Sequence, residues 1–284
     1  MRITVASGKG GTGKTTFSAN FAWSVSKNNR VMLTDCDVEE PNLHIFFGGE
    51  KTSEEVFAKK PRVDAGLCTF CGKCAGFCRF GAINVLKNRV LISDPVCHSC
   101  GGCTIICPEN AISETEVSTG EISVVKVSPN LTLAEGRLYP GQPSGTGIIK
   151  ALKGKCEKKE TVISDAPPGS ACLFLEAVSD SDYCILVTEP TPFGLHDLKA
   201  AYEAAKATGV PTGVVINKSL GDDCDVEEFC RLNSLEVIMK IPNDIKIAEI
   251  QNRGELFSEI YPEWTDKFTS LYGRLCNVIR GGDV

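Results

Sequence analysis

The sequence predicts an α/β protein with a mostly parallel sheet and a small α+β module set into it. Three observations predict this. A buried-strand pattern feeds a glycine-rich turn and a helix at the start of the chain. Apolar strand-like runs alternate with helical patterns in the second half. Between them lies a block dense in Cys and Gly that follows neither pattern.

Ile3 to Ala6 reads as a buried strand and Val31 to Thr34 as the next. A helix from about Lys14 to Ser26 lies between them, with Phe17, Phe21 and Val25 on one face. Thr161 to Ser164, Tyr183 to Thr188, Gly213 to Ile216 and Glu236 to Ile241 have the length and β-branched content of buried strands. Helical patterns over Leu195 to Thr208, Val226 to Leu235 and Ile245 to Asn252 separate several of them, which predicts a parallel sheet covered on both faces. From Pro61 to Val117 the chain repeats itself at a 29-residue offset. Cys68, Cys71, Cys74, Cys78, Ala82 and Ile83 recur as Cys97, Cys100, Cys103, Cys107, Ala111 and Ile112. After it, Glu121 to Leu133 alternates like hairpin material, and Leu138 to Gly147 reads as a loop returning to the larger domain. The expected organisation is a discontinuous larger domain over 1–60 and 118–284 with an insert over 61–117.

The hydrophobic share of 42% and charged share of 23% are those of a soluble globular protein. No apolar stretch approaches the roughly 20 residues of a membrane helix. The opening residues do not read as a signal peptide, so the expected compartment is the cytoplasm. A net charge of −6 argues against a nucleic-acid partner. Fifteen cysteines, an odd count without an export signal, point to metal ligation over a disulfide framework. Seven of them (Cys36, Cys156, Cys172, Cys184, Cys224, Cys230, Cys276) are scattered and read as inert thiols.

Residues 8–15, GKGGTGKT, match G-x-x-x-x-G-K-[ST] after a strand and at the opening of a helix. Gly8, Gly10, Gly11 and Gly13 let the backbone wrap a phosphate beside Thr12 and Thr16. Lys14 would reach the β- and γ-phosphates and Thr15 would offer its hydroxyl to Mg2+. ATP or ADP with Mg2+ is the ligand this pattern implies. The plain motif does not require Lys9, which lies too near the loop start to serve phosphates that Lys14 neutralises.

With that second lysine the segment resembles the deviant Walker A of the MinD/ParA/Mrp family, which also includes relatives of the nitrogenase iron protein. The resemblance implies a P-loop ATPase fold in which Lys9 crosses a nucleotide-sandwich dimer to the partner's phosphates, catalytic alongside Lys14 and Asp37. Leu33 to Asn42 resembles the first switch, which implies that Asp37 orients the attacking water and that Asp35 lies near magnesium. Val162 to Gly169 resembles Walker B, making Asp165 a magnesium residue. Asn217 falls where relatives read adenine, and Ile241 to Gly254, with Pro242, resembles the adenine-side loop. The implied partner is a second copy or a related ATPase.

Each cysteine set has the spacing of a bacterial two-cluster ferredoxin. Two-residue gaps let three thiolates close on one cubane while the fourth serves the other. Cys68, Cys71, Cys74 and Cys107 are therefore expected to hold one 4Fe-4S cluster, and Cys97, Cys100, Cys103 and Cys78 the other. Arg79 stands where the pattern has Pro after its fourth cysteine, and His98 reads as a spacer. Zinc is the alternative, but it gives no reason for a third and fourth cysteine at these spacings. The fold class expected is thus a mostly parallel P-loop NTPase domain with an inserted ferredoxin-like module.

Three functions compete. The first is nucleotide-gated electron transfer through two clusters to an unidentified redox partner. The second is cluster assembly, for which Cys224 and Cys230 lack the C-x-x-C of carrier relatives. The third is MinD-like positioning, for which the C-terminal segment is weakly basic and reads as a packed helix.

Overall fold

Buried apolar runs in the N-terminal part become the strands at the centre of the sheet. The computed structural model describes residues 1–156 and 161–281. The chain opens with β1 (Arg2–Ala6), α1 (Lys14–Ser26) and β2 (Val31–Asp35). A long strand β3 (Lys51–Val63) leads to a group of short elements: α2 (Lys73–Phe77), β4 (Ile83–Val85), β5 (Val90–Ile92) and α3 (Gly102–Ile106). β6 (Ile112–Ser128) returns beside β3 and is followed by β7 (Leu131–Leu138) and α4 (Thr146–Gly154). The remainder alternates β8 (Thr161–Asp165), α5 (Cys172–Val178), β9 (Tyr183–Thr188), α6 (Pro192–Thr208), β10 (Thr212–Ser219), α7 (Cys224–Leu232) and β11 (Glu236–Pro242). Helices α8 (Ile245–Asn252), α9 (Phe257–Ile260) and α10 (Pro262–Ile279) end it.

Among the described residues nine strands form one sheet in the order β11-β10-β9-β1-β8-β2-β7-β6-β3. Neighbours from β11 to β7 are parallel, whereas β6 and β3 add antiparallel at the edge. Helices α1, α8, α9 and α10 cover one face, with Phe17, Phe21, Phe257, Trp264 and Phe268 in its core. Helices α4 to α7 cover the other through Ile148, Phe174, Leu198 and Val226. This is the mostly parallel α/β sheet that the alternation predicts.

The differences have local causes. β3 was not expected, because KTSEEVFAKKPRV is largely polar; though exposed along much of its own length, it forms by pairing with β6 from Lys51↔Val125 to Val63↔Ile112. The boundaries expected at 61 and 117 fall inside β3 and β6, so a two-stranded ribbon carries the short elements away from the sheet. α4 begins within the stretch read as a loop. α7 stops at Leu232 instead of Leu235 because Ser234 takes a left-handed φ of 54° and the Leu235 N–H turns back to the Cys230 carbonyl at 2.9 Å.

Candidate functional site

The carboxyl ends of the parallel strands bring the glycine loop, Asp35, Asp165, Glu189, Asn217 and Pro242 to one edge of the sheet, where α/β proteins bind ligands. The loop leaves β1 and enters α1 through Gly13, at φ 85°, and no side chain caps the helix. Its first N–H groups therefore stay available to an anion. A Cβ on Gly8 would run into the main-chain carbonyl of Asp197, so glycine is needed where the loop passes α6. Thr15 Oγ1 donates to Asp165 Oδ2 at 2.7 Å and Ser18 Oγ to Oδ1 at 2.8 Å. Lys14 Nζ lies 2.9 Å from Asp165 Oδ2 but off the hydrogen-bonding direction, so this buried ammonium has no properly oriented acceptor. Thr12 Oγ1 is also buried and unpaired. An unpaired hydroxyl and an ammonium held only by its ion pair to Asp165, at an uncapped helix start, fit phosphate oxygens.

Asp35 and Asp165 are register partners on β2 and β8, both fully buried. Burial, then the charge of Asp165, pushes the Asp35 carboxyl up to about 8. Both Asp35 oxygens accept main-chain N–H groups, from Asp37 at 3.1 Å and from Asn42 and Leu43 at 2.9 Å. Asp35 is thus the anchor of the loop that carries Asp37. Asp37 is half-buried, and desolvation raises its carboxyl to about 6 against the opposing pull of Lys14. Two carboxyls, Asp35 and Asp37, raised by burial and by the nearby Asp165 charge fit a cation between loop and sheet.

Asn217 Nδ2 donates to the Thr12 carbonyl at 2.8 Å, tying β10 to the loop from inside. Pro242 is exposed at the end of β11, paired in register with Ser219. Lys9 extends toward Glu189 at 4.0 Å, and Lys218 bonds the same carboxylate at 2.5 Å and the Gly11 carbonyl at 3.3 Å. Ser18, Glu189 and Lys218 belong to this site although no motif marks them. Ser18 could have been found one helical turn after Lys14.

In the ribbon-borne part, one hollow is lined by Cys68, Cys71, Cys74 and Cys107, and another by Cys97, Cys100, Cys103 and Cys78. Cys107 thus shares a hollow with the first three cysteines of the earlier set, and Cys78 with the first three of the later set. The backbone repeats as the sequence does: Phe70 and Ser99, Gly72 and Gly101, Gly81 and Asn110 all have left-handed φ, each pair 29 residues apart. Cys68 Sγ accepts the Phe70 N–H at 3.4 Å and Cys107 Sγ the Ala111 N–H at 3.3 Å. Burial pushes the Cys74 and Cys103 thiols up, and neighbouring cysteine sulfurs add to it. His98 stacks on Phe80 with centroids 3.8 Å apart. Among the described residues no three His, Cys, Asp or Glu side chains converge on a single-ion position. Of the scattered cysteines, Cys36 and Cys184 are buried with thiols pushed up to about 12 and Cys230 to about 11, as inert thiols should be.

A glycine loop between a central parallel strand and an uncapped helix, faced by an acid on the next strand, defines a P-loop nucleotide-binding fold. The chain belongs to the CobQ/CobB/MinD/ParA nucleotide-binding-domain family, which it matches over residues 3–257. It is 49% identical to an uncharacterized ATP-binding protein of Methanocaldococcus jannaschii over 278 residues, 93% of this chain and 82% of that one. It is 27% identical to an iron-sulfur cluster carrier protein of Pyrococcus horikoshii over 274 residues, 89% of this chain and 77% of the relative. The cell division ATPase MinD of Pyrococcus furiosus superposes with a TM-score of 0.59 at 19% identity, covering 96% of this chain and 98% of that one, a likeness of fold. Among the described residues no helix is long and apolar enough to cross a membrane.

Proposed function

We propose that the protein binds and hydrolyses MgATP at the glycine loop, holds a 4Fe-4S cluster in each cysteine hollow, and links nucleotide-dependent dimer closure to electron transfer through the pair. The observation that carries this is the interleaving of the cysteines: the fourth of each set lines the hollow of the other. A single-ion zinc site gives no reason for that exchange, whereas a cubane spreads its four thiolates around a body of iron and sulfide. The N–H groups directed at Cys68 and Cys107 are of the kind that tune such a site.

In this reading Lys14 leaves Asp165 for the phosphates, and Thr15 and Asp165 hold magnesium, with Asp35 fixing the loop behind them. Asp37 orients water as a base of raised pKa. Lys9, held near the surface by Glu189, swings to the phosphates of a second copy or a related ATPase. Asn217 and Pro242 flank the base. Bound clusters supply one-electron transfer to a redox partner protein.

The experiment is anaerobic purification with iron, sulfide and ATP-turnover measurement on the parent, Cys107→Ser, Cys78→Ser and Lys14→Ala. Each serine variant should lose one cluster and keep the other. Lys14→Ala should lower turnover by about 10²- to 10³-fold, as removal of a charge-stabilising donor does. Iron-free parent protein, or turnover indifferent to Lys14, overturns the proposal.

A second reading, cluster donation, is favoured by the carrier relative and by the exposure of Cys71 and Cys100. Rapid transfer of both clusters to an apo-acceptor supports it; retention supports electron transfer. Positioning through a membrane helix is disfavoured by the burial of Trp264, Phe268, Leu271 and Leu275 on α10.

A further inference from the structure

Behind the second hollow stands a buried lysine with no carboxylate partner. Side chains alternate along β3, so Lys59 is exposed while Lys60 is 1% exposed. Lys60 Nζ donates to two main-chain carbonyls, Cys97 at 2.5 Å and Asp94 at 3.2 Å. The Asp94 carboxylate is taken up by Arg62, both of whose terminal nitrogens reach it at 2.9 Å. Among the described residues no carboxylate oxygen lies within 4.0 Å of Lys60. A buried ammonium with only carbonyl dipoles for company is costly, and proteins normally supply a counter-charge.

Resting on the cluster reading above, we propose that Lys60 is the counter-cation of the cluster held by Cys97, Cys100, Cys103 and Cys78, and that it raises that cluster's reduction potential above the other's. A cubane ligated by four thiolates carries net negative charge, and accepting one electron increases it. A fixed cation in a low-dielectric wall therefore stabilises the reduced form more than the oxidised one. Among the described residues no buried cation lines the first hollow. Its lysine, Lys73, is exposed and screened by solvent, as is Lys59 beside the second. Each hollow also has one exposed glutamate, Glu109 or Glu114, so the acids do not distinguish them. Pro61 and Glu114 line the second hollow, Val63 and Ile112 the first, and the latter pair lies farther out along the ribbon. A single electron from an external one-electron reductant would thus come to rest on the cluster nearer the ATPase sheet.

The test is an anaerobic potentiometric titration of the full-length holoprotein, with dithionite as reductant, followed by electron paramagnetic resonance and paired with iron and sulfide analysis. The parent should show two separate one-electron steps. Lys60→Gln keeps a donor for the Cys97 carbonyl and loses the charge, so the upper step should move down while the lower stays. Lys60→Arg should restore the upper step, and Lys59→Gln should move it less than Lys60→Gln does. A Lys60→Gln titration like the parent's, equal movement of both steps, or an equal effect from Lys59→Gln overturns the inference. If Lys60→Gln fails to hold its second cluster, Lys60→Arg decides: loading and parental potentials support a charge requirement, and failure overturns it. Absence of iron from the parent overturns the cluster reading itself, whereas loaded parent with unmoved steps overturns only the role of Lys60.

Discussion

At Gly13 two constraints meet at one α-carbon. The backbone is left-handed, which costs a side-chain-bearing residue about 1–2 kcal/mol, and a Cβ would also collide with the Asn217 amide that holds the Thr12 carbonyl. Gly10, three residues earlier in the same loop, has open space where its Cβ would be. Gly13→Ala should therefore lower the midpoint of chemical denaturation, while Gly10→Ala should stay within about 0.5 kcal/mol of the parent. Asn217→Ala removes one buried hydrogen bond, for about 1–3 kcal/mol, and also vacates the space that the new methyl needs. The double variant should then be less unstable than the sum of the singles, with a coupling of about 0.5–3 kcal/mol in a double-mutant cycle. Strict additivity would mean that Asn217 does not press on the loop as described.

At the scale of elements, how readable a segment was depended on whether its burial was local. α1 and α8 were legible to the residue, as was β9, because each carries its own apolar pattern. β3 was not, since residues 51–55 are exposed and its stability comes from β6, a partner about seventy positions away in register at that end. α4 was hidden by the Gly/Pro run before it and by its nine-residue length. The P-loop was legible because phosphate binding demands a fixed spacing, and the cysteine repeat because its 29-residue offset stands in the sequence itself. Lys60 was not, because its meaning depends on which strand face turns inward. The C-terminal helix was legible as a packed element, and its packing can be measured. Phe268 is fully buried, edge-on to Phe17 with centroids 5.5 Å apart, and also meets Phe21, Phe257 and Trp264. Phe268→Ala should cost about 3–5 kcal/mol in denaturant unfolding. A cost below about 1 kcal/mol would mean that α10 is loosely held and would reopen its availability to a membrane.

The whole molecule offers one mechanical route between the nucleotide edge and the second hollow. The loop anchored by Asp35 passes through Val38, which is fully buried. The Val38 carbonyl accepts the Leu138 N–H at 2.7 Å, and its side chain fills the space beside Gly145 and Gly136. Gln142, Pro143, Ser144, Thr146 and Gly147, which follow, form one wall of an open cleft whose other wall includes Lys60, Cys97 and His98. A shift of the Asp37 loop on exchanging ADP for ATP would therefore press on the segment facing the second cysteine loop. Allosteric links of this kind are commonly worth about 1–3 kcal/mol. If the cysteines hold clusters as proposed, the potential of the second should differ between MgADP and a non-hydrolysable MgATP analogue in the same anaerobic titration. Val38→Ala should shrink that difference, because it removes the methyl groups through which the loop bears on Gly145, while the two nucleotides still bind. Identical potentials with both nucleotides would leave the protein with two neighbouring chemistries and no coupling between them, and an undiminished difference in Val38→Ala would move the route elsewhere.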